Sequence, residues 1–149
     1  MRRPPALLAV LAGLTLPAGS AQALEYRSVA EAGVVMFDAP SQKARPLFII
    51  ARDTPVEVVV GLEGWVKVRD VVGDLAWVER KSLAEKRTLI VTARSAEVRS
   101  QADDGAPLVF AAEKDVLLEF VEPGPPGWAK VRHRDGPSGF VRANQVWGL

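Results

Sequence analysis

The sequence predicts an all-β protein made of two small tandem β-barrels behind an N-terminal export signal. Three observations carry that prediction. The phrase Trp65-Val66-Lys67-Val68-Arg69 returns as Trp128-Ala129-Lys130-Val131-Arg132. Each copy is followed at matched spacing by a glycine, Gly73 or Gly136, and by an aromatic-valine pair, Trp77-Val78 or Phe140-Val141. Landmarks repeated in one order mark a duplicated unit. Finally, short runs rich in β-branched residues alternate with Gly, Pro and Asp clusters, and no stretch sustains a helical period.

The export signal is read from residues 1–23. Arg2 and Arg3 open it, the apolar run Ala6 to Leu16 follows, and Ala21-Gln22-Ala23 supplies a small-x-small cleavage pattern. An uncleaved anchor is the alternative, but the apolar run is short of the roughly 20 residues a spanning helix needs. Loss of Arg2 and Arg3 leaves 17 basic against 18 acidic residues. That balance offers no field to recruit nucleic acid or an anionic membrane. The chain has no cysteine. Disulfides, a thiol nucleophile, a cysteine metal site and a cysteine-linked lipid anchor are therefore excluded. An exported domain of this kind has to hold together by packing alone. The expected location is the periplasm, with secretion as the other outcome.

The first unit is expected over residues 24–85. Val56, Val58 and Val60 alternate through one strand, Gly61 to Gly64 make a turn, and Trp65 to Arg69 form the next strand. A single helical turn is expected near Ser82 to Lys86. The second unit is expected over residues 86–149. Thr88 to Thr92 and Val116 to Val121 read as strands, and Asp103-Asp104-Gly105, Pro123 to Gly127 and Asp135 to Gly139 as turns. Arg45-Pro46-Leu47-Phe48 answers Ala106-Pro107-Leu108-Val109, and Leu83 answers Val146. Trp147, near the C-terminus, is expected to seal the second barrel. Units of about 60 residues are marginal alone. The connection Leu83 to Thr88 lacks linker composition, so the two are expected to pack together.

These motifs resemble the bacterial SH3 domain family. Glu97-Val98-Arg99-Ser100 and then Pro107-Leu108-Val109 look like its opening strand and following loop. Gly127-Trp128-Ala129-Lys130-Val131 is similar to its glycine-tryptophan strand, and Gly139-Phe140-Val141 to its closing strand. The first unit carries Gly64-Trp65-Val66-Lys67-Val68 and Ala76-Trp77-Val78, with Ala76 where the family has glycine. Its opening, Val35-Met36-Phe37-Asp38-Ala39-Pro40, looks closer to eukaryotic SH3 domains. The resemblance implies barrels of five to six strands, binding rather than catalysis, and recognition of peptidoglycan or peptide.

Strand alternation sorts the repeated phrase into two faces. Val66 and Val68, or Ala129 and Val131, should face the core. Trp65, Lys67 and Arg69, or Trp128, Lys130 and Arg132, should share the other face. An aromatic in line with cations suits a peptide bearing carboxylates. Phe37 is expected to line a groove beside Trp65, as the resemblance implies, with Arg99 as its counterpart in the second unit. These seven residues, Phe37, Trp65, Lys67, Arg69, Trp128, Lys130 and Arg132, are the candidate ligand-binding set. The plain structural alternative is that a loop covers each tryptophan and the cations are solvated; Trp77 and Phe140 are read as packing residues. Catalysis is not expected. His133 is the one histidine, too few for a usual zinc site. Asp135 and Ser138 lie near it, but no nucleophile elbow is present. No cofactor is implied. The expected partner is a peptidoglycan peptide, or alternatively an envelope protein met through an exposed strand edge. Oligomeric state is left open.

Overall fold

The computed structural model describes residues 23–134 and 136–149. The expected export signal, apart from Ala23, falls outside them. The rest is β structure in two seven-stranded antiparallel sheets. The first contains β1 (Glu25–Val29), β2 (Val34–Phe37), β3 (Pro46–Ile50), β4 (Pro55–Gly61), β5 (Trp65–Arg69), β6 (Leu75–Glu79) and β7 (Leu83–Ala84). The second contains β8 (Thr88–Val91), β9 (Ser95–Arg99), β10 (Leu108–Glu113), β11 (Leu117–Pro123), β12 (Trp128–Arg132), β13 (Ser138–Arg142) and β14 (Val146–Trp147). Strand order is β3-β2-β6-β5-β4-β1-β7 in the first and β10-β9-β13-β12-β11-β8-β14 in the second. The two orders are the same permutation, so the duplication is a duplication of fold. No helix among the described residues is long and apolar enough to cross a membrane.

Alternation builds each core. In β5, Val66 and Val68 are buried while Trp65, Lys67 and Arg69 are partly exposed. They join Val29, Met36, Val56, Ala76 and Val78 in one apolar cluster. Leu89, Val98, Leu118, Ala129, Val131 and Val141 make the equivalent cluster in the second unit. The alternation expected through Val60 breaks inside β4. A bulge between Val58 and Val60 shifts the register against β5 and leaves Val59 and Val60 both exposed. The same irregularity recurs in β11 between Phe120 and Glu122. A bulge adds one residue to one strand and flips every later side chain.

Each tryptophan strand is entered through a glycine with positive φ: Gly64 at 75° and Gly127 at 85°. A Cβ at Gly64 would meet nothing within 4 Å. The backbone conformation, not space, is what calls for glycine there.

Three expectations change. The short helical turn lies at Arg80–Ser82, meeting the expected segment only at Ser82, and a second one occurs at Ala143–Gln145. Each unit has seven strands rather than five or six, because β1 and β8 precede the motif-bearing strands and two-residue strands close each sheet. Trp147 does not merely seal its own barrel. It meets Tyr26 of the first unit edge to face, with ring centroids 5.2 Å apart.

That contact belongs to a junction between the units. The Thr88 hydroxyl donates to the Asp53 carbonyl at 2.6 Å. Lys86 reaches Asp53 at 3.5 Å on one side and Glu119 at 3.0 Å on the other. The Arg87 guanidinium donates to the Gly148 carbonyl at 2.6 Å and lies over the rings of both Tyr26 and Phe120.

Candidate functional site

The outward face of the first sheet collects aromatics from three adjacent strands. Pairing sets Phe37 of β2 opposite Trp77 of β6, and Trp77 opposite Lys67 of β5. Each has buried neighbours of opposite parity: Met36, Ala76 and Val78, and Val66 and Val68. Phe37, Trp77 and Lys67 therefore form one row across the outside of the sheet. Trp65 lies two positions along β5 from Lys67, and its ring meets Phe37 edge to face at 5.7 Å, 81° between planes. The structure thus brings the predicted Phe37, Trp65 and Lys67 together. It adds Trp77, which sequence reasoning gave to packing. The same alternation rule, applied to Ala76-Trp77-Val78, could have placed it outside.

A groove of about 430 Å³ runs along Phe37. Glu31, Gly33, Val35, Gln42 and Glu79 also line it. Gln42 donates to the Glu79 carboxylate at 2.9 Å, and Ser82 donates to Glu31 at 3.2 Å.

The cations of the repeated phrase divide into two kinds. Arg69 is engaged by Glu57 at 2.9 Å, directly opposite it on β4. Arg132 is held in the same way by Glu119, its Nε donating at 2.9 Å. These are cross-strand ion pairs built into both barrels. Both glutamates were available at matching positions in the sequence, but only the strand register reveals the pairing. Hydrogen bonds from Arg132 and then Lys86 hold the Glu119 carboxyl below its usual range, and Glu119 raises Lys86 in return. Lys130 approaches Glu122 at 3.7 Å. Lys67 has no ion pair among the described residues, so its ammonium stands free beside the aromatic row.

The second unit does not repeat the face. Its row reads Arg99, Phe140, Lys130, so a cation replaces the aromatic Phe37. Arg99 is occupied, donating to the Ala106 carbonyl at 2.8 Å and pairing with Glu97. Trp128, expected on the outer face beside its cations, is 9% exposed. The Arg142 guanidinium stacks over its ring at 4.3 Å and is fixed from behind by Asp104. The cause lies directly across the strand pair. Trp128 stands opposite Arg142, and Trp65 opposite Glu79. A guanidinium is attracted to a ring face. A carboxylate is not, and Glu79 turns to Gln42 and Lys81 instead.

His133 is exposed and meets Phe110 edge to face at 6.0 Å. No group of His, Asp or Glu able to hold a metal ion occurs among the described residues.

Fold and face together define an all-β, two-barrel protein in which the first barrel carries a partly exposed aromatic row that the second, among the described residues, does not repeat. A family model for the bacterial SH3 domain matches residues 30–85 and again residues 93–148. The chain belongs to the bacterial SH3 domain family. Among curated proteins, no sequence matches it. Solved structures similar to it include NlpC2 from Trichomonas vaginalis, at 15% identity and TM-score 0.37, covering 86% of this chain and 49% of that one. NlpC1 from the same organism gives 17% identity and TM-score 0.36, covering 96% and 51%. An NlpC/P60 family protein from Bacillus cereus ATCC 10987 gives 13% identity and TM-score 0.37, covering 83% and 56%. The chain spans about half the length of these structures.

Proposed function

We propose that this is a non-catalytic binding protein of the cell envelope, exported to the periplasm, whose first barrel recognises a peptide of the cell wall. One observation carries the reading: Phe37 and Trp65 in edge-to-face contact beside a lysine with no ion pair among the described residues. The rings supply flat apolar area, and Lys67 supplies a charge for a peptide carboxylate. Arg69, Arg132 and Lys130 each have an acidic neighbour, and Trp128 is covered. The ligand-binding set accordingly contracts to Phe37, Trp65 and Lys67, with Trp77 added. The division of labour follows units at residues 24–85 and 86–149: the first binds, and the second supports it through the junction.

The test is retention of the purified protein on isolated sacculi at low salt. Trp65→Ala should weaken retention about 30-fold, as loss of an aromatic anchor does, while its circular dichroism stays that of the wild type. Absence of wild-type retention overturns the reading. The second reading, an adaptor for another envelope protein, is favoured by the open edges of β3 and β10. It predicts envelope-protein capture that Trp65→Ala leaves intact.

A further inference from the structure

We propose that the groove along Phe37 takes a free primary ammonium, so that the ligand of the first barrel is a peptide with an ammonium at one end and a carboxylate at the other. The site is the one proposed above, and this ligand class rests on that peptide reading. Phe37, Trp77 and Lys67 occupy three neighbouring strands, about 10 Å from first to last at the spacing of paired strands. The Lys67 ammonium, with no ion pair among the described residues, closes one end of the row. At the other end Glu31 and Glu79 line the groove, and no lysine or arginine does.

The two carboxylates differ. Glu79 is satisfied: its Oε1 accepts from Gln42 at 2.9 Å, and its Oε2 meets Lys81 at 3.2 Å. Glu31 forms no ion pair among the described residues. Its Oε1 accepts from the Ser82 hydroxyl at 3.2 Å. Ser82 is buried, and its carbonyl accepts from the Ala30 N–H at 2.8 Å. The turn bearing Glu31 is thus tied twice to the helical turn at Arg80–Ser82. A neutral hydroxyl orients the Glu31 carboxylate without cancelling its charge, which stays available to a cationic donor.

The second barrel shows that the fold does not require these acids. Thr92 N–H donates to the Gln145 carbonyl as Ala30 N–H does to Ser82, so Ala93 answers Glu31. Across the ladders Arg142 answers Glu79 and Arg99 answers Phe37. The same strand order is built there with no acid at any of these places. Acid and aromatic row occur together in the first barrel only. Together they suit an ammonium at Glu31, an apolar stem along Val35 and Phe37, and a carboxylate at Lys67. An acylated amine carries no charge and loses the first of these contacts.

Retention on sacculi with and without treatment by acetic anhydride, which converts free amines to amides, tests this. Acetylation should weaken retention of the wild type about fivefold, the scale of an exposed ion pair. Glu31→Gln, which keeps an oxygen for Ser82, should lose about as much on untreated sacculi and be indifferent to acetylation. Equal wild-type retention on both, still dependent on Trp65, overturns the ammonium proposal and leaves the peptide reading standing. A Glu31→Gln variant as sensitive to acetylation as the wild type also overturns it. So does undiminished retention on glycan strands stripped of peptide. No wild-type retention on untreated sacculi ends both readings.

Discussion

Trp65 and Trp128 occupy the same place in the same phrase, yet one is partly exposed and the other is buried. The difference traces to the residue across the ladder, Glu79 or Arg142. Exchanging those partners should exchange the states. Glu79→Arg should lay a guanidinium on Trp65 and reduce sacculus retention. Arg142→Glu should leave Trp128 accessible, read as faster quenching of its fluorescence by iodide. Unchanged quenching in Arg142→Glu would show that another contact shields the ring. The inward residues of this phrase were legible from parity alone, because Val66, Val68, Ala129 and Val131 are all small and apolar. The fate of the outward ones was not. It depends on Glu79 and Arg142, whose positions opposite the tryptophans exist only once the strands are in register.

At the scale of elements, the two copies differ where β13 passes β9. Gly139 holds the place that Ala76 fills in the first unit. A Cβ on Gly139 would sit 2.6 Å from the Arg99 carbonyl and 2.7 Å from a Val98 methyl. Backbone cannot yield cheaply at such a distance. Gly139→Ala should therefore destabilise the protein by about 1–3 kcal/mol, measured by urea unfolding; no change would mean that β9 moves freely. The strands β5 and β12, which carry apolar alternation, and β8 and β11, which read as apolar or β-branched runs, were legible in sequence. β1 was not, since Glu25-Tyr26-Arg27-Ser28-Val29 has no clear period. Its Tyr26, Ser28 and Val29 are buried all the same. Tyr26 owes that burial partly to Trp147, a contact between units that local pattern does not encode. The bulges of β4 and β11 were hidden for a related reason: an extra residue looks like any other until the partner strand is known.

For the whole molecule, packing of the two units was expected from their size and short connection, and Lys86 shows what makes it specific. It links Asp53 of the first unit to Glu119 of the second. Its folded pKa is raised, chiefly by the hydrogen bond to Glu119. The stabilisation is therefore complete below the ordinary lysine range of about 10.4 and lost as pH climbs through the raised value. Glu119 runs the other way. Its pKa is lowered, chiefly by Arg132, so its contribution is present above the usual carboxylate range and lost as pH falls through the lowered value. Stability should be flat through neutrality and fall at both extremes. Lys86→Met should flatten the alkaline fall in a series of urea denaturations. An identical alkaline fall in that variant would remove Lys86 from the account.

The contact between Tyr26 and Trp147 joins residues 121 positions apart in sequence. During synthesis the chain emerges from its N-terminus, so Tyr26 waits for its partner until residue 147 has appeared. Until then the first barrel lacks the ring that meets the edge of its Tyr26. A chain cut before residue 147 therefore lacks the ring that covers Tyr26 and leaves the junction between the two barrels incomplete.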